Sequence, residues 1–148
     1  AAGFAVSTGG YAGLMEAVSR GARSRGGTVI GVTAPAVFPD RPGANQYVDT
    51  EHPAPHLLDR IHTLTSRSDA VIALPGSLGT LTELVAAWNL AFVARFSATS
   101  PKPVVVVGTR WQQIVDDLSV LLDADRNLVT TVGTVEDAVN EVSARLTR

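Results

Sequence analysis

Short apolar runs alternate along this chain with longer segments in which apolar residues recur at helical spacing. Residues 103–107 and 69–74 are almost continuously apolar, which is typical of strands that are buried on both faces of a parallel sheet. The segment at 80–96 is too long for a strand and fits a helix. This alternation predicts an α/β fold, in which a Rossmann-like parallel sheet carries helices on both faces.

The predicted elements follow one another with little interruption. Strands are predicted at residues 4–7, 28–33, 69–74, 103–107 and 128–132, and helices at 56–66, 80–96, 111–122 and 134–146. A further helix is predicted from Gly13 onward, and Gly26-Gly27 ends it. Residues 34–54 contain several prolines and no apolar period, so we predict a long loop there. Long ordered loops in compact domains are often functional.

Composition limits the class of protein. A chain of 148 residues with 45% hydrophobic residues can form one compact domain, and we predict a single domain over residues 1–148. The absence of cysteine excludes disulfide scaffolds, thiolate zinc sites, iron–sulfur clusters and cysteine nucleophiles. The formal net charge of −2 argues against a nucleic-acid polymer as partner, because binding to a phosphate backbone needs a basic face.

No segment indicates a membrane protein. The longest apolar runs are far shorter than the roughly 20 residues that a membrane span requires. The start of the chain has neither the basic segment nor the apolar core of a signal peptide. We therefore expect a cytoplasmic protein without a membrane partner.

Two segments combine a strand, a glycine-rich turn and the start of a helix. The first is TGGYAGLM at residues 8–15, and the second is PGSLGTLTE at residues 75–83. Unpaired backbone N–H groups and the positive end of the helix dipole make such turns suitable for binding anions, and glycine lets the backbone approach a phosphate closely. Neither turn has the Gly-Lys-Ser/Thr ending of a Walker A loop or the Gly-x-Gly-x-x-Gly spacing of dinucleotide enzymes.

Glu83 has two interpretations at this stage. The spacing from Thr80 to Glu83 fits a capping box, in which the glutamate binds back to the start of its helix. The same spacing would hold a carboxylate beside a phosphate or sugar site at the end of a parallel strand, where ligands of open α/β sheets bind. The two interpretations are compatible.

Three features in order resemble the LOG family, which is named after Lonely Guy. They are Thr-Gly-Gly-x-x-Gly-Leu-Met-Glu-Ala at residues 8–17, Arg60, and Pro-Gly-x-x-Gly-Thr-x-x-Glu at residues 75–83, with Arg60 fifteen positions before Pro75. The family contains nucleoside 5′-monophosphate phosphoribohydrolases that release cytokinins in plants. Its bacterial members are often mislabelled lysine decarboxylases.

The resemblance implies hydrolysis of the N-glycosidic bond of a nucleoside 5′-monophosphate, of AMP or cytokinin type, to the free base and ribose 5-phosphate. Glu83 would stabilise the oxocarbenium-like ribosyl centre or position the attacking water, and Arg60 would orient the nucleotide and support the departing base. No cofactor and no metal site is expected. The residues expected to hold the nucleotide and its phosphate are Gly10, Gly13, Gly76, Ser77, Gly79 and Thr80.

The chain departs from the family pattern in places. Ser77 stands where the family usually has a second motif glycine, and Tyr11 and Ala12 also differ from common relatives. The chain opens with Ala-Ala-Gly and enters a predicted strand at once. Set against the family, this start implies that the chain lacks the first βα unit; the alternative is that the sheet is completed differently.

Two other functions deserve comparison. A lysine decarboxylase of the usual type needs a lysine that binds pyridoxal phosphate, and the only lysine is Lys102, between two prolines. We therefore set that function aside. The alternative is a non-catalytic carrier of a nucleotide or of the molybdenum cofactor, because molybdenum-cofactor carriers resemble the same family and keep a phosphate-binding turn.

The helix predicted at 80–96 is apolar nearly all round. A helix that is hydrophobic on both sides must be covered on both sides. We therefore predict that it forms the interface of a homodimer or a higher homo-oligomer; the alternative is burial under loops of its own chain.

Overall fold

The computed structural model describes residues 2–41, 43–97 and 99–147. Pro42, which falls in the predicted loop, lies outside the described residues. The chain forms two compact units, Ala1–Ser68 and Asp69–Arg148. That they constitute one domain stays a prediction.

The first unit is a three-stranded parallel sheet with two helices. Its elements are β1 (Val6–Thr8), α1 (Leu14–Arg23), β2 (Val29–Thr33), β3 (Thr50–Pro53) and α2 (Leu57–Ser66). The strand order is β1-β2-β3, with Thr8 opposite Gly31 and Thr33 opposite Pro53. Because the strands are parallel, the glycine turn after β1 leaves the sheet at the edge where β2 and β3 also end.

Strand β3 lies inside the segment predicted to be a loop, so that prediction is wrong for residues 50–53. The strand reads Thr-Glu-His-Pro, and all four residues are exposed. It is an edge strand, where charged residues and proline are tolerated because one side of the strand needs no hydrogen-bond partner. It therefore lacks the apolar pattern by which the other strands were predicted.

The second unit is another three-stranded parallel sheet, with order β4-β5-β6. Its elements are β4 (Val71–Ala73), α3 (Leu78–Ala94), β5 (Val104–Val107), α4 (Thr109–Leu121), β6 (Val129–Val132) and α5 (Val135–Leu146). Helix α3 begins and ends two residues earlier than the predicted 80–96.

Both faces of this second sheet are covered. Val104 and Val106 of β5 pack in one core cluster, which also contains Leu84, Ala87, Trp88 and Ala91 of α3 and Trp111 and Val115 of α4. Val105 and Val107 point to the opposite face and pack with Ala138 and Val142 of α5. All four valines of β5 are buried. A strand that helices cover on both faces must be apolar at every residue, which explains the uninterrupted apolar run.

The Rossmann-like α/β class, with parallel strands and helices, is confirmed. Within the described residues the strands pair as two sheets of three rather than in one ladder. None of the described helices has the length and apolar character needed to cross a membrane.

Candidate functional site

The first glycine turn is fixed by its backbone conformation. Gly10 and Gly13 have φ values of +76° and +73°, a region that residues with a side chain rarely adopt. A Cβ on Gly10 would lie 3.0 Å from Thr33 Cγ2 and 3.2 Å from Gly31 Cα, so the turn also passes close to β2. Gly13 is the N-cap of α1, and a Cβ there would meet no atom within 4 Å.

The long loop is attached to this turn through Asn45. Its backbone N–H donates to Gly10 O at 2.7 Å. Its side-chain Nδ2 donates to Gly10 O at 3.0 Å and to Tyr11 O at 3.1 Å. The loop therefore satisfies carbonyl groups that no strand or helix reaches, and the turn and loop form one structure.

Arg60 of α2 reaches the same turn. Its side chain is only 7% exposed, and it donates from Nε to Val32 O at 2.7 Å and from Nη2 to Gly9 O at 3.1 Å. These charge-assisted bonds offset part of the cost of burying a guanidinium. A Cβ on Gly9 would overlap Arg60 Nη2, so glycine is what allows this approach.

An aromatic pair lies beside this turn, and the sequence did not predict it. The rings of Tyr11 and Phe38 meet edge to face, with centroids 5.9 Å apart. Arg41 Cζ lies 4.6 Å from the Tyr11 centroid and 4.1 Å from that of Phe38. Arg60 Cζ lies within 6 Å of both centroids. Only the length of the loop hinted at function, because nothing in its spacing places residue 41 against residue 11.

The second glycine turn differs in construction. Helix α3 begins at Leu78, and its N-cap Ser77 has an extended backbone and makes no side-chain capping bond. A Cβ on Gly76 would overlap Thr80 Oγ1 and lie 2.7 Å from Thr80 Cβ, so the Thr80 side chain lies over Gly76. A Cβ on Gly79 would meet no atom within 4 Å. At the start of α3, the Thr80 side chain therefore fills the space beside Gly76, whereas the space beside Gly79 is open.

The capping box predicted for Thr80 and Glu83 is wrong. Thr80 is the third residue of α3 and not its cap, because Ser77 takes that position. Glu83 is half-buried in the second turn of the helix. Residues three apart share a helix face, so Glu83 lies on the same face as Thr80, one helical turn further from the glycine turn.

The structure thus places the predicted residues in two groups. Gly10, Gly13 and Arg60 belong to the first turn, and Gly76, Ser77, Gly79, Thr80 and Glu83 belong to the second. Their roles in binding and catalysis stay predictions. Among the described residues, no group of three His, Asp or Glu side chains could hold a metal ion.

Lys102 lies away from the second turn. It lies two residues before β5, whereas the second turn follows β4, and because these strands are parallel the two positions are at opposite ends of the strands. Burial lowers the pKa of Lys102, and the nearby Asp69 acts in the opposite direction. The only lysine is therefore not placed to act at the second turn.

The chain is similar in sequence to a described family and to named enzymes. A family model described as "Possible lysine decarboxylase" matches residues 15–142. A "Cytokinin riboside 5'-monophosphate phosphoribohydrolase" of Mycobacterium tuberculosis is 36% identical over 67% of this chain and 50% of its own length. A protein of Oryza sativa subsp. japonica, named as a probable enzyme of the same kind, is 38% identical over 52% of this chain and 34% of its own length. The chain spans half the length, or less, of these relatives.

A solved structure is similar over nearly the whole chain. It is that of the molybdenum cofactor binding protein from the phototrophic bacterium Rippkaea orientalis, with a TM-score of 0.75 and 25% sequence identity. The similarity covers 97% of this chain and 78% of that protein.

Proposed function

This chain belongs to the LOG family, and on that basis we propose that it is a nucleotide phosphoribohydrolase. It hydrolyses the N-glycosidic bond of a nucleoside 5′-monophosphate, of AMP or cytokinin type, to the free base and ribose 5-phosphate. The observation that carries the proposal is the start of α3, where an open glycine position and a half-buried carboxylate lie within two helical turns of each other.

The second turn is suited to the 5′-phosphate. The first backbone N–H groups of a helix have no partner within it, and α3 is 17 residues long, so its dipole favours an anion at this end. Ser77 makes no capping bond there, and Gly79 leaves space for close approach. Gly10 and Gly13 give the start of α1 the same chemistry.

Glu83 supplies what bond cleavage requires. When the C1′–N bond breaks, its electron pair goes to the base and positive charge develops on the ribose, which a fixed carboxylate stabilises. The oxygen of a water molecule then bonds to C1′, the water loses a proton, and the base takes up one. Arg60, held by two carbonyl groups, is the proposed residue that orients the nucleotide. These steps require no redox cofactor.

The test is release of adenine from AMP, measured by chromatography on the purified protein. We expect Glu83→Gln to lower kcat about a hundredfold or more, with AMP affinity changed only a few-fold, because the carboxylate acts on charge that exists only in the transition state. Glu136→Gln, at an exposed glutamate of α5, is the matched control and should retain full activity. If the wild type binds AMP yet releases no base from any 5′-monophosphate, the enzyme proposal fails.

A second candidate is a carrier that binds without hydrolysis. The similarity to a molybdenum cofactor binding protein over 97% of this chain favours it, and a phosphate-binding turn would serve a carrier equally well. Binding of the molybdenum cofactor without base release from nucleotides would support this candidate. Base release that depends on Glu83 would exclude a purely carrying role.

We also propose that the protein is cytoplasmic.

A further proposal is that α3 pairs with α3 of a second copy of this chain. Val85, Val93 and Phe96, on and just after this helix, are 43%, 53% and 79% exposed. No charged residue occurs between Glu83 and Arg95. An uncharged apolar strip is typical of the core of a symmetric interface. Light scattering should show a dimer that Val93→Glu dissociates and Val120→Glu, on α4, does not; a monomeric wild type would contradict this.

A further inference from the structure

Arg41 has an unusual environment for a surface arginine. Among the described residues, the arginines at positions 23, 95, 126 and 145 form ion pairs with aspartate or glutamate, whereas the exposed arginines at 20, 25, 67 and 110 do not. Unlike all of these, Arg41 lies over aromatic rings. Arg41 is exposed and lies over two aromatic rings, and within the part of the chain that the structure describes it has no ion pair. Its guanidinium thus makes cation–π contacts with both rings and has no carboxylate partner among the described residues.

The rings beneath Arg41 are themselves fixed. Tyr11 is 5% exposed, and its hydroxyl oxygen accepts a hydrogen bond from Ala34 N at 2.8 Å. The backbone N–H of Phe38 donates to Ala34 O at 3.0 Å, and that of Arg41 donates to Phe38 O at 3.1 Å. A side chain that stacks on a fixed platform loses less conformational entropy when it binds a ligand. The arrangement therefore holds the Arg41 guanidinium in place before a ligand binds.

We infer that Arg41 is a ligand-binding residue that takes an anionic group, specifically the phosphate of a sugar phosphate or nucleotide. A guanidinium stays charged at any working pH, and its planar edge matches two phosphate oxygens at once. Arg41 is exposed, so its guanidinium is accessible to a ligand while it lies over the two rings. The buried Arg60, within 6 Å of the same ring centroids, adds positive charge close to the same two rings. The inference depends on the proposed function only for the choice of ligand.

The experiment measures binding rather than turnover. Calorimetric titration with ribose 5-phosphate, which has no base and is not hydrolysed, reports phosphate recognition, and adenosine reports recognition of the base. We expect Arg41→Gln to weaken ribose 5-phosphate binding about tenfold or more and to leave adenosine binding unchanged. Arg41→Lys keeps the charge but loses the planar fork, so its affinity for ribose 5-phosphate should lie between those of the wild type and Arg41→Gln. Phe38→Leu, which keeps the guanidinium and removes part of its platform, should weaken binding several-fold.

The matched control is Arg25→Gln. It removes the same charge from the same unit, beyond the far end of α1, which is about 15 Å long for its 10 residues. It should leave ribose 5-phosphate affinity within about twofold of wild type. Melting curves of all variants check that each remains folded.

The outcomes separate this inference from the enzyme proposal. Unchanged ribose 5-phosphate binding in Arg41→Gln, or a loss confined to adenosine, would overturn the inference, and so would equal losses in Arg41→Gln and Arg25→Gln. A wild type that does not bind ribose 5-phosphate would also overturn it. If binding depends on Arg41 while AMP is not hydrolysed, the inference stands and the enzyme proposal alone fails.

Discussion

The two glycine turns follow the same sequence of strand, turn and helix, yet they are stabilised differently. The first is held by residues distant in the chain: Asn45 binds its carbonyl groups from the loop, and Arg60 binds them from α2. The second is stabilised by a residue close to it in the chain, since the Thr80 side chain packs on Gly76. Thr80 lies three residues after Ser77, which is the N-cap of α3.

The fold therefore places different demands on the glycines of these turns. Gly10 adopts a positive φ and passes close to β2, Gly76 makes room for a side chain, and Gly79 does neither. A glycine that the fold itself does not need, at the start of a long helix, is the one most readily explained by a ligand. Alanine substitutions at these three glycines test this distinction, and their expected effects on stability decrease from Gly10 to Gly76 to Gly79.

Gly10→Ala should have the largest effect on the first unit. The substitution combines a positive φ, which costs about 1–2 kcal/mol for an alanine, with a Cβ 3.2 Å from the backbone of Gly31, which cannot move aside easily. We expect a loss of about 3 kcal/mol in the free energy of unfolding, measured in urea. Gly26→Ala is the control, because Gly26 has a similar φ of +73° but open space around it. Equal losses at the two positions would show that the approach to β2 is unimportant.

The fold could be predicted where burial imposes a pattern. Strand β5 must be apolar on both faces because helices cover both, and its four valines reveal it. Strand β3 is an exposed edge of Thr-Glu-His-Pro, which follows no apolar pattern, so it was missed. Periodicity reports burial, and an element that is not buried leaves no such signal.

The candidate site was predictable only in part, for a related reason. Ser77 and Thr80 are both residue types that cap helices. The sequence alone favours a helix that starts at Thr80, whereas Ser77 is the N-cap and the helix starts two residues earlier, at Leu78. The cation–π contact of Arg41 with Tyr11 depends on the path of an irregular loop between positions 30 apart. No local rule connects such positions, whereas the glycine motifs are local and were recognised.

Gly76→Ala should have an intermediate effect, and its origin can be isolated. The new Cβ would lie 2.7 Å from Thr80 Cβ, so the start of α3 must shift, at a cost of about 2 kcal/mol. Thr80→Ala removes the hydroxyl and methyl groups that crowd this position. In a double-mutant cycle by urea unfolding, the cost of Gly76→Ala should fall by about half in the Thr80→Ala background. Simple additivity would mean that the hydroxyl and methyl groups of Thr80 are not what restricts Gly76.

Gly79→Ala should have the smallest effect on stability, and in the opposite direction. Gly79 is the second residue of α3, its φ is not positive, and an added Cβ meets no atom within 4 Å. Alanine in place of glycine in a helix stabilises it by about 0.5–1 kcal/mol. If the open space at this position receives a phosphate, the same methyl group obstructs the ligand, so AMP affinity should fall while the midpoint of urea unfolding rises. Gly21→Ala, in α1 with equally open surroundings, should raise stability without changing affinity. A Gly79→Ala protein that is more stable and binds AMP as well as wild type would remove the second turn from the phosphate site, because in that case neither the fold nor the ligand would require glycine there.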